Sequence, residues 1–403
     1  MRKIKVLRII ARLNIGGPAI HTILLSEGLD KSRFETVLVC GTPEKSEGDM
    51  LYLAEEKGVR PIIIPELGRS LNFGKDIIVF WKLFCLIKKE KPDIIHTHTA
   101  KAGTLGRLAG LLFKLTYVLR PTSYDLKLIH TFHGHVLHSY FGRVKSALFI
   151  WIERFLAIFT DKIIAVSENL REELVKLRIA KPHKIVVVPL GLELERYLKI
   201  ENNGPGNRDY KSIGIIGRLV PVKNHKMFLD AAKKIKNALG FSQRMKFLIV
   251  GDGPLRQELE SYAERLGISE DVSFTGWIRD LERVYSELDI VTLTSLNEGT
   301  PVALIEAQAA GRPCVATNVG GVANVIEEGR SGILIPFEDV GSFAQAIIKL
   351  LSNPGLVKAM GEYGRDKVRD KFNKERLIKD IEGLYEETLC RYPYTLTGTS
   401  GHK

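Results

Sequence analysis

Ser295-Leu296-Asn297-Glu298-Gly299-Thr300-Pro301-Val302-Ala303-Leu304-Ile305-Glu306-Ala307 is the stretch on which the reading of this 403-residue chain turns. The run DIVTLTS at 289–295 reads as a buried strand that ends at Ser295. Thr300 is placed to cap a helix, Pro301 fits its first turn, and Gly311 can end it. Glu298 is then expected in the loop at the C-terminal edge of a sheet. Glu306 falls more than a turn into a helix that is otherwise almost wholly apolar. The free N–H groups of a helix start accept an anion or a hydroxyl, and a carboxylate deeper in can hold a ribose diol with two hydrogen bonds. A surface helix with one solvated Glu is the bland alternative. The apolar flanks argue against it, because a buried carboxylate needs a partner.

Outward from this element, short β-type runs alternate with helical stretches along the whole chain. The runs at 4–11, 34–41, 60–64, 93–97, 127–133, 161–166 and 185–190 precede a Gly/Asn/Pro-rich linker, ENNGPGNRDYK at 201–211. The pattern then restarts at 212–217, 245–251, 271–276, 289–295, 313–317 and 332–335. Such alternation predicts an α/β chain with two Rossmann-like, doubly wound domains, 1–205 and 206–373, facing each other across a cleft that is the natural ligand site. The end of the chain is helical, with a break at Asn353-Pro354-Gly355.

Three further segments carry chemistry. Gly217-Arg218-Leu219-Val220-Pro221-Val222-Lys223-Asn224-His225 follows the first strand of the second domain and opens a helix with apolar spacing Phe228, Ala231, Ala232 and Ile235. Arg218 and Lys223 share one loop beside a helix N-terminus, a placement that can hold a diphosphate. Asn14-Ile15-Gly16-Gly17-Pro18 joins the first strand to a helix, and its glycines let a ligand approach the backbone or merely form a tight turn. Val250-Gly251-Asp252-Gly253-Pro254 is similar, but Arg256 replaces the third glycine of a dinucleotide fingerprint. The histidines form the third group: His96 and His98 end one strand, while His130, His133, His135 and His138 crowd the next. Alternation along a strand points His130 away from His133 and His135, and no Cys or carboxylate completes a metal site. No DxD occurs, so no metal clamp for a nucleotide diphosphate is expected.

Composition bounds the rest. Charged residues make up 26% and hydrophobic ones 45%, which excludes disordered and fibrous classes. Cys40, Cys85, Cys314 and Cys390 lie far apart, which excludes a disulfide-dense scaffold or zinc ribbon and suits a reducing compartment. Residues 1–205 hold 32 Lys+Arg against 21 Asp+Glu, whereas 206–403 hold 27 against 26, so the first half is expected to meet a polyanionic partner. No apolar run is long enough to span a bilayer, and a cytoplasmic protein is expected. Stretch 74–91 combines Phe80, Trp81 and Phe84 with Lys82, Lys88, Lys89 and Lys91, and 107–120 adds Arg107, Lys114 and Arg120. These stretches suit peripheral attachment to an anionic membrane face, or else they are the sheet-facing sides of ordinary helices with solvated lysines.

With these residues in place, the chain resembles the retaining glycosyltransferases of family 4, which have the GT-B fold, over residues 4–390. The matching elements are Gly16-Gly17, HTHTAKAG at 96–103, TFHGH at 131–135, DKIIAVSE at 161–168, GRLVPVKNH, VGDGPL, FTGW at 274–277 and the pair Glu298 and Glu306. The resemblance implies a nucleotide-sugar donor, UDP-linked, held mainly by the second domain. Arg218 and Lys223 would hold its diphosphate, Glu306 its ribose, and Glu298 with the Gly299–Thr300 backbone the transferred sugar. His133 would contact the donor sugar, Gly16 and Gly17 would approach the phosphates or acceptor, and the helix at about 374–391 would cross back onto the first domain. The implied acceptor is a lipid-linked or growing surface saccharide, with no cofactor, metal or nucleic acid. A nucleotide-sugar epimerase or hydrolase of the same fold, and a non-catalytic saccharide-binding protein, are the alternatives.

Overall fold

The structure is a computed structural model that describes residues 2–44, 47–68, 72–118, 125–134, 143–201, 208–240 and 244–389. Each run read as a strand forms one. The first sheet contains β1 (Ile4–Arg12), β2 (Phe34–Gly41), β3 (Ile62–Ile63), β4 (Ile94–His98), β5 (Lys127–Phe132), β6 (Lys162–Ala165) and β7 (Ile185–Val187), in spatial order β3-β2-β1-β4-β5-β6-β7. The second contains β8 (Tyr210–Ile216), β9 (Arg244–Val250), β10 (Val272–Gly276), β11 (Ile290–Leu293), β12 (Cys314–Thr317) and β13 (Gly332–Ile335), in order β10-β9-β8-β11-β12-β13. All pairings within them are parallel. Each sheet changes direction of winding once, between β1 and β4 and between β8 and β11. Loops leaving the strands at that point diverge and open a crevice at the C-terminal edge.

Alternate residues of β1 face opposite layers. Leu7 and Ile9, with Ile95 and Leu128, pack against Val79, Leu83 and Ile87 of helix Phe73–Glu90 and against Ala102, Ala109 and Phe113 of helix Ala100–Val118. Val6, on the other face, packs with Ile94, Ile129 and Leu25 against Leu377, Ile381, Leu384 and Tyr385. Those last four residues lie on helix Lys374–Leu389, so the final helix belongs by packing to the first domain. The crossing is anchored where Leu192 N donates to Phe372 O at 2.8 Å and Arg376 donates to the carbonyls of Pro189 and Leu190. In the second domain Phe228, Ala231, Ala232 and Ile235 are buried on helix His225–Leu239, as their spacing requires.

One layer of the first domain is not apolar. On the Val6 face of the sheet, Arg8, His96, His98 and Thr131 are fully buried beneath His21 of helix Gly17–Gly28. His130 lies on the opposite face, its Nδ1 2.8 Å from Thr97 Oγ1. Burial drives the pKa of His21, His96, His98 and His130 down, and it pushes His133 and, in the second domain, His225 to about 3. Unfolded, the same imidazoles take up protons near pH 6.5. The folded chain therefore keeps its full stability above that pH and loses it as pH falls toward the folded values. Each such histidine contributes a slope of up to about 1.4 kcal/mol per pH unit. The urea midpoint should fall steeply between about pH 7 and about pH 5, and His225→Leu should make that slope shallower. A flat profile for the unaltered chain would show that these rings are not neutral when folded.

Candidate active site

The loop after β8 carries a 3-10 turn at Pro221–Lys223 and reaches helix His225–Leu239 through Asn224 in a left-handed conformation, φ 48°. It is stitched to the loop after β11. Leu296 N donates to Val222 O at 2.8 Å, and Thr294 Oγ1 lies 3.0 Å from the carbonyls of Lys223 and Asn224. This brings Lys223 and Glu298 together: Lys223 Nζ donates to Glu298 Oε1, which also accepts from Ser295 Oγ at 2.6 Å. Arg218, expected beside Lys223, has a different counterion. Its Nη1 is 3.8 Å from Oε1 of Glu47, a first-domain residue held by the Arg12 fork at 2.5 and 2.7 Å. Burial alone would raise the Glu47 pKa, but the Arg12 guanidinium outweighs it and holds the carboxyl below its ordinary value.

Glu298 leads into an approach between the domains at backbone distance. A Cβ on Gly299 would sit 2.2 Å from the carbonyl oxygen of His133 and 3.0 Å from Gly134 Cα, so only glycine fits there. From the other side, Gly321 N donates to Glu298 O at 3.0 Å, and a Cβ on Gly321 would overlap the Gly299 carbonyl. The Gly16-Gly17 loop also reaches across, since a Cβ on Gly17 would lie 3.1 Å from Val302 Cγ2. Thr300 departs from expectation. The helix is Val302–Ala309 with Pro301 as its N-cap, and Thr300 Oγ1 is buried with no hydrogen-bond partner among the described residues. Proline at the cap position displaces threonine by one residue, leaving the hydroxyl turned from the helix amides. Gly311 follows the helix in the left-handed region, φ 71°, as read.

Glu306 is buried, and the partners its burial demands are two tyrosines. Tyr197 OH donates to Oε1 at 3.1 Å and Tyr285 OH lies 2.9 Å from Oε2, their rings edge to face at 5.3 Å. Arg196 Nη2 donates to Tyr197 OH at 2.7 Å. Burial raises the Glu306 pKa against the opposing pull of Tyr285, Arg196 and Tyr197. A carboxylate has about four acceptor sites, so two tyrosines leave capacity for a diol. Next to this set Arg279 lies 4.5 Å over the ring of Tyr52, joining second domain to first.

Of the histidines weighed as a metal site, His130 faces away from His133, and His135 and His138 lie outside the described residues. A different trio does meet. His21, His98 and His133 each bring a ring nitrogen within 4.8 Å of the others. Within it, His98 Nδ1 and His133 Nε2 are 3.0 Å apart, and the Arg8 guanidinium lies in the same buried layer. That positive charge opposes a cation. Sequence reasoning overlooked His21, Glu47, Tyr197, Tyr285 and the pair Gly320-Gly321. Only the paired glycines, following a strand, carried a readable signal. The others gain meaning only from distant neighbours.

Comparison with known proteins agrees with this geometry. Residues 15–196 match the family model Glycosyltransferase Family 4, and residues 210–353 match Glycosyl transferases group 1. The UDP-Gal:alpha-D-GlcNAc-diphosphoundecaprenol alpha-1,3-galactosyltransferase of Escherichia coli is 30% identical over 371 residues, covering 89% of this chain and 90% of that one. The capsular polysaccharide biosynthesis glycosyltransferase CapM of Staphylococcus aureus is 26% identical over 338 residues, covering 81% and 85%. Among solved structures, Anabaena HepE in complex with UDP superposes with a TM-score of 0.74 at 18% identity, covering 95% of this chain and 100% of that one, a likeness of fold. Two parallel-sheet domains, the shared crevice and the matches along nearly the whole chain place it in one family: the protein is a glycosyltransferase of family 4, with the GT-B fold.

Proposed function

We propose that this glycosyltransferase moves a sugar from a UDP-linked donor, with retention of anomeric configuration, onto a lipid-linked or growing surface saccharide. The observation that carries the reading is the convergence of Lys223, Glu298 and Arg218 with the Gly299–His133 contact, all at facing C-terminal sheet edges. Donor and acceptor class are supported by the Escherichia coli relative, whose name specifies UDP-Gal and a diphosphoundecaprenol acceptor. Breaking the sugar–phosphate bond leaves negative charge on the diphosphate. Arg218, Lys223 and the amides opening helix Val302–Ala309 are fixed where that charge develops, so they stabilise the transition state more than the ground state. The diphosphate takes the place of Glu47 beside Arg218. Glu306 receives the ribose, Glu298 with the Gly299–Thr300 backbone holds the sugar, and His133 and the Gly16-Gly17 loop face it from the first domain. Side-chain cations supply the charge a metal would otherwise bring.

We place the acceptor side of the first domain against a membrane, on a surface that keeps Trp81, Lys88 and Lys89 of the stretch the sequence suggested and loses others. Arg107 does not contribute: it is buried and donates to both oxygens of Glu153 at 2.9 and 2.7 Å. Arg120 lies outside the described residues. Phe80 and Phe84 pack against the core, whereas Phe73, Ile77, Ile78 and Trp81 of the same helix are exposed, beside Lys88 and Lys89. Helix Arg143–Phe159, which contacts helix Ala100–Val118, exposes a stripe of Leu148, Trp151, Phe155 and Ile158, with Trp151 68% and Ile158 66% exposed. Its outer side and helix Ala100–Val118 border a groove of about 420 Å³ lined by Leu108, Trp151 and Phe155. No helix among the described residues is long and apolar enough to cross a membrane. The combination suits a protein that lies on the headgroups.

Three measurements test these assignments. Glu306→Gln should weaken UDP binding by calorimetry about tenfold, the loss expected for one charge-assisted hydrogen bond. Unchanged affinity in the folded variant would remove Glu306 from the ribose. Arg218→Ala and Lys223→Ala should lower kcat more than they raise the acceptor KM, and transfer by the unaltered enzyme should persist in excess EDTA; an EDTA-sensitive rate would contradict the metal-free scheme. Flotation with anionic liposomes should drop on Trp151→Ser with Phe155→Ser. It should also weaken with salt when Lys88 and Lys89 are intact, each contributing about 1 kcal/mol at low ionic strength. Absence of flotation would remove the membrane from the scheme and leave the transfer reaction standing.

A further inference from the structure

His98 ends β4 and His133 follows β5, the adjacent strand, where Ile10, His98 and Thr131 stand in register. His98 Nδ1 and His133 Nε2 are 3.0 Å apart. Two neutral imidazoles at that distance share one proton: whichever ring carries it on that line, the other presents a lone pair. The contact consumes Nε2 of His133. Its Nδ1 has no partner among the described residues, and neither does Nε2 of His98.

The supporting ring is itself held from two sides. His98 lies tilted against His96, centroids 4.2 Å apart and planes at 34°. His96 in turn contacts Tyr385 OH at 2.6 Å and Arg8 Nη1 at 3.0 Å through Nδ1, and Thr131 Oγ1 at 2.7 Å through Nε2. His21 closes the set edge-on, 5.0 Å from His133 and 5.7 Å from His98. No carboxylate among the described residues hydrogen-bonds to any of these rings. Burial first, then the neighbouring His96, His133 and Arg8 charges, drives the His98 pKa down, and burial pushes that of His133 to about 3.

We propose that His98 is a positioning residue that grips the His133 ring through Nε2, so that His133 can offer only Nδ1 to the donor sugar. The proposal rests on the reading of His133 as the donor-sugar contact. It extends that reading to a buried strand-end histidine and to the one ring atom that acts.

The test exploits amide mimicry of a single ring nitrogen. Asn places a polar atom near Nδ1, Gln near Nε2, and Leu neither. His98→Leu and His98→Gln should lower kcat at least about tenfold, while His98→Asn stays within about threefold of the unaltered enzyme; UDP affinity should hold within about twofold in all three. Unaltered kcat in either the Leu or the Gln variant would overturn the proposal. So would a folded Asn variant as slow as the Gln one, since His98 would then act by packing alone. Ring nitrogen NMR of the unaltered protein gives a reading that needs no variant to fold. It should show His133 in one neutral tautomer, and an even mixture of tautomers would overturn the clamp. His133→Ala separates the two levels: normal kcat there would remove His133 from the reaction, whereas slow transfer by His133→Ala with normal His98→Leu would remove only His98.

Discussion

The backbone of Gly299 meets the carbonyl of His133 with no space for a methyl group between them, and the site is organised around that approach. It sets how far apart the C-terminal edges of the two sheets can be. Because parallel strands deliver their functional loops at one edge only, two such sheets build a shared site only when those edges face each other. The glycines at 134, 320 and 321 serve the same end, letting three loops pass at backbone distance. A side chain at 299 would push the Glu298 loop away from the first domain and separate the groups that touch across the crevice.

Charge is arranged with the same economy. Each of the two cations expected to hold a diphosphate already faces a carboxylate: Lys223 faces Glu298 within its own domain, and Arg218 faces Glu47 from the other. Partly buried charges need such partners, because desolvation costs several kcal/mol per ion (roughly) when none is present. The arrangement keeps both side chains extended toward the crevice without ligand. On the proposed reading, an arriving diphosphate would exchange one anion for another at Arg218, so affinity would report a difference between two ion pairs and not the strength of one. Glu306 is treated differently, with neutral tyrosine hydroxyls as partners, which satisfy its oxygens without a salt bridge to break.

The final helix links architecture to this site. Lys374–Leu389 supplies Tyr385 to the buried histidine layer of the first domain, and Arg376 to the carbonyls of Pro189 and Leu190 where the chain first leaves that domain. Both crossings thus lie side by side, close to the strand ends that carry His98 and His133. The cost of burying Arg8, whose Nε and Nη2 have no hydrogen-bond partner among the described residues, is met in part by the imidazole and phenol groups gathered around Nη1.

Much was legible in the amino-acid order because local signals and global fold agree. β-branched runs bounded by polar turns marked the strands, and an apolar helix carrying one carboxylate marked Glu306 as buried. Glu298, and the loop holding Arg218 and Lys223, were equally open to reading, since each of these loops begins at a strand end. Thr300 shows the limit even at short range: a cap rule that ranks threonine high gave way to Pro301, whose fixed backbone already suits the position before the first turn. What only the tertiary structure decided are relations between residues far apart in the chain. Glu47 beside Arg218, Tyr197 and Tyr285 on Glu306, His21 over His98 and His133, and Tyr385 on His96 leave no periodic or local trace. Their positions follow from strand order, register and the return of the last helix, and these are set by the packing of whole layers, which no short window of sequence contains.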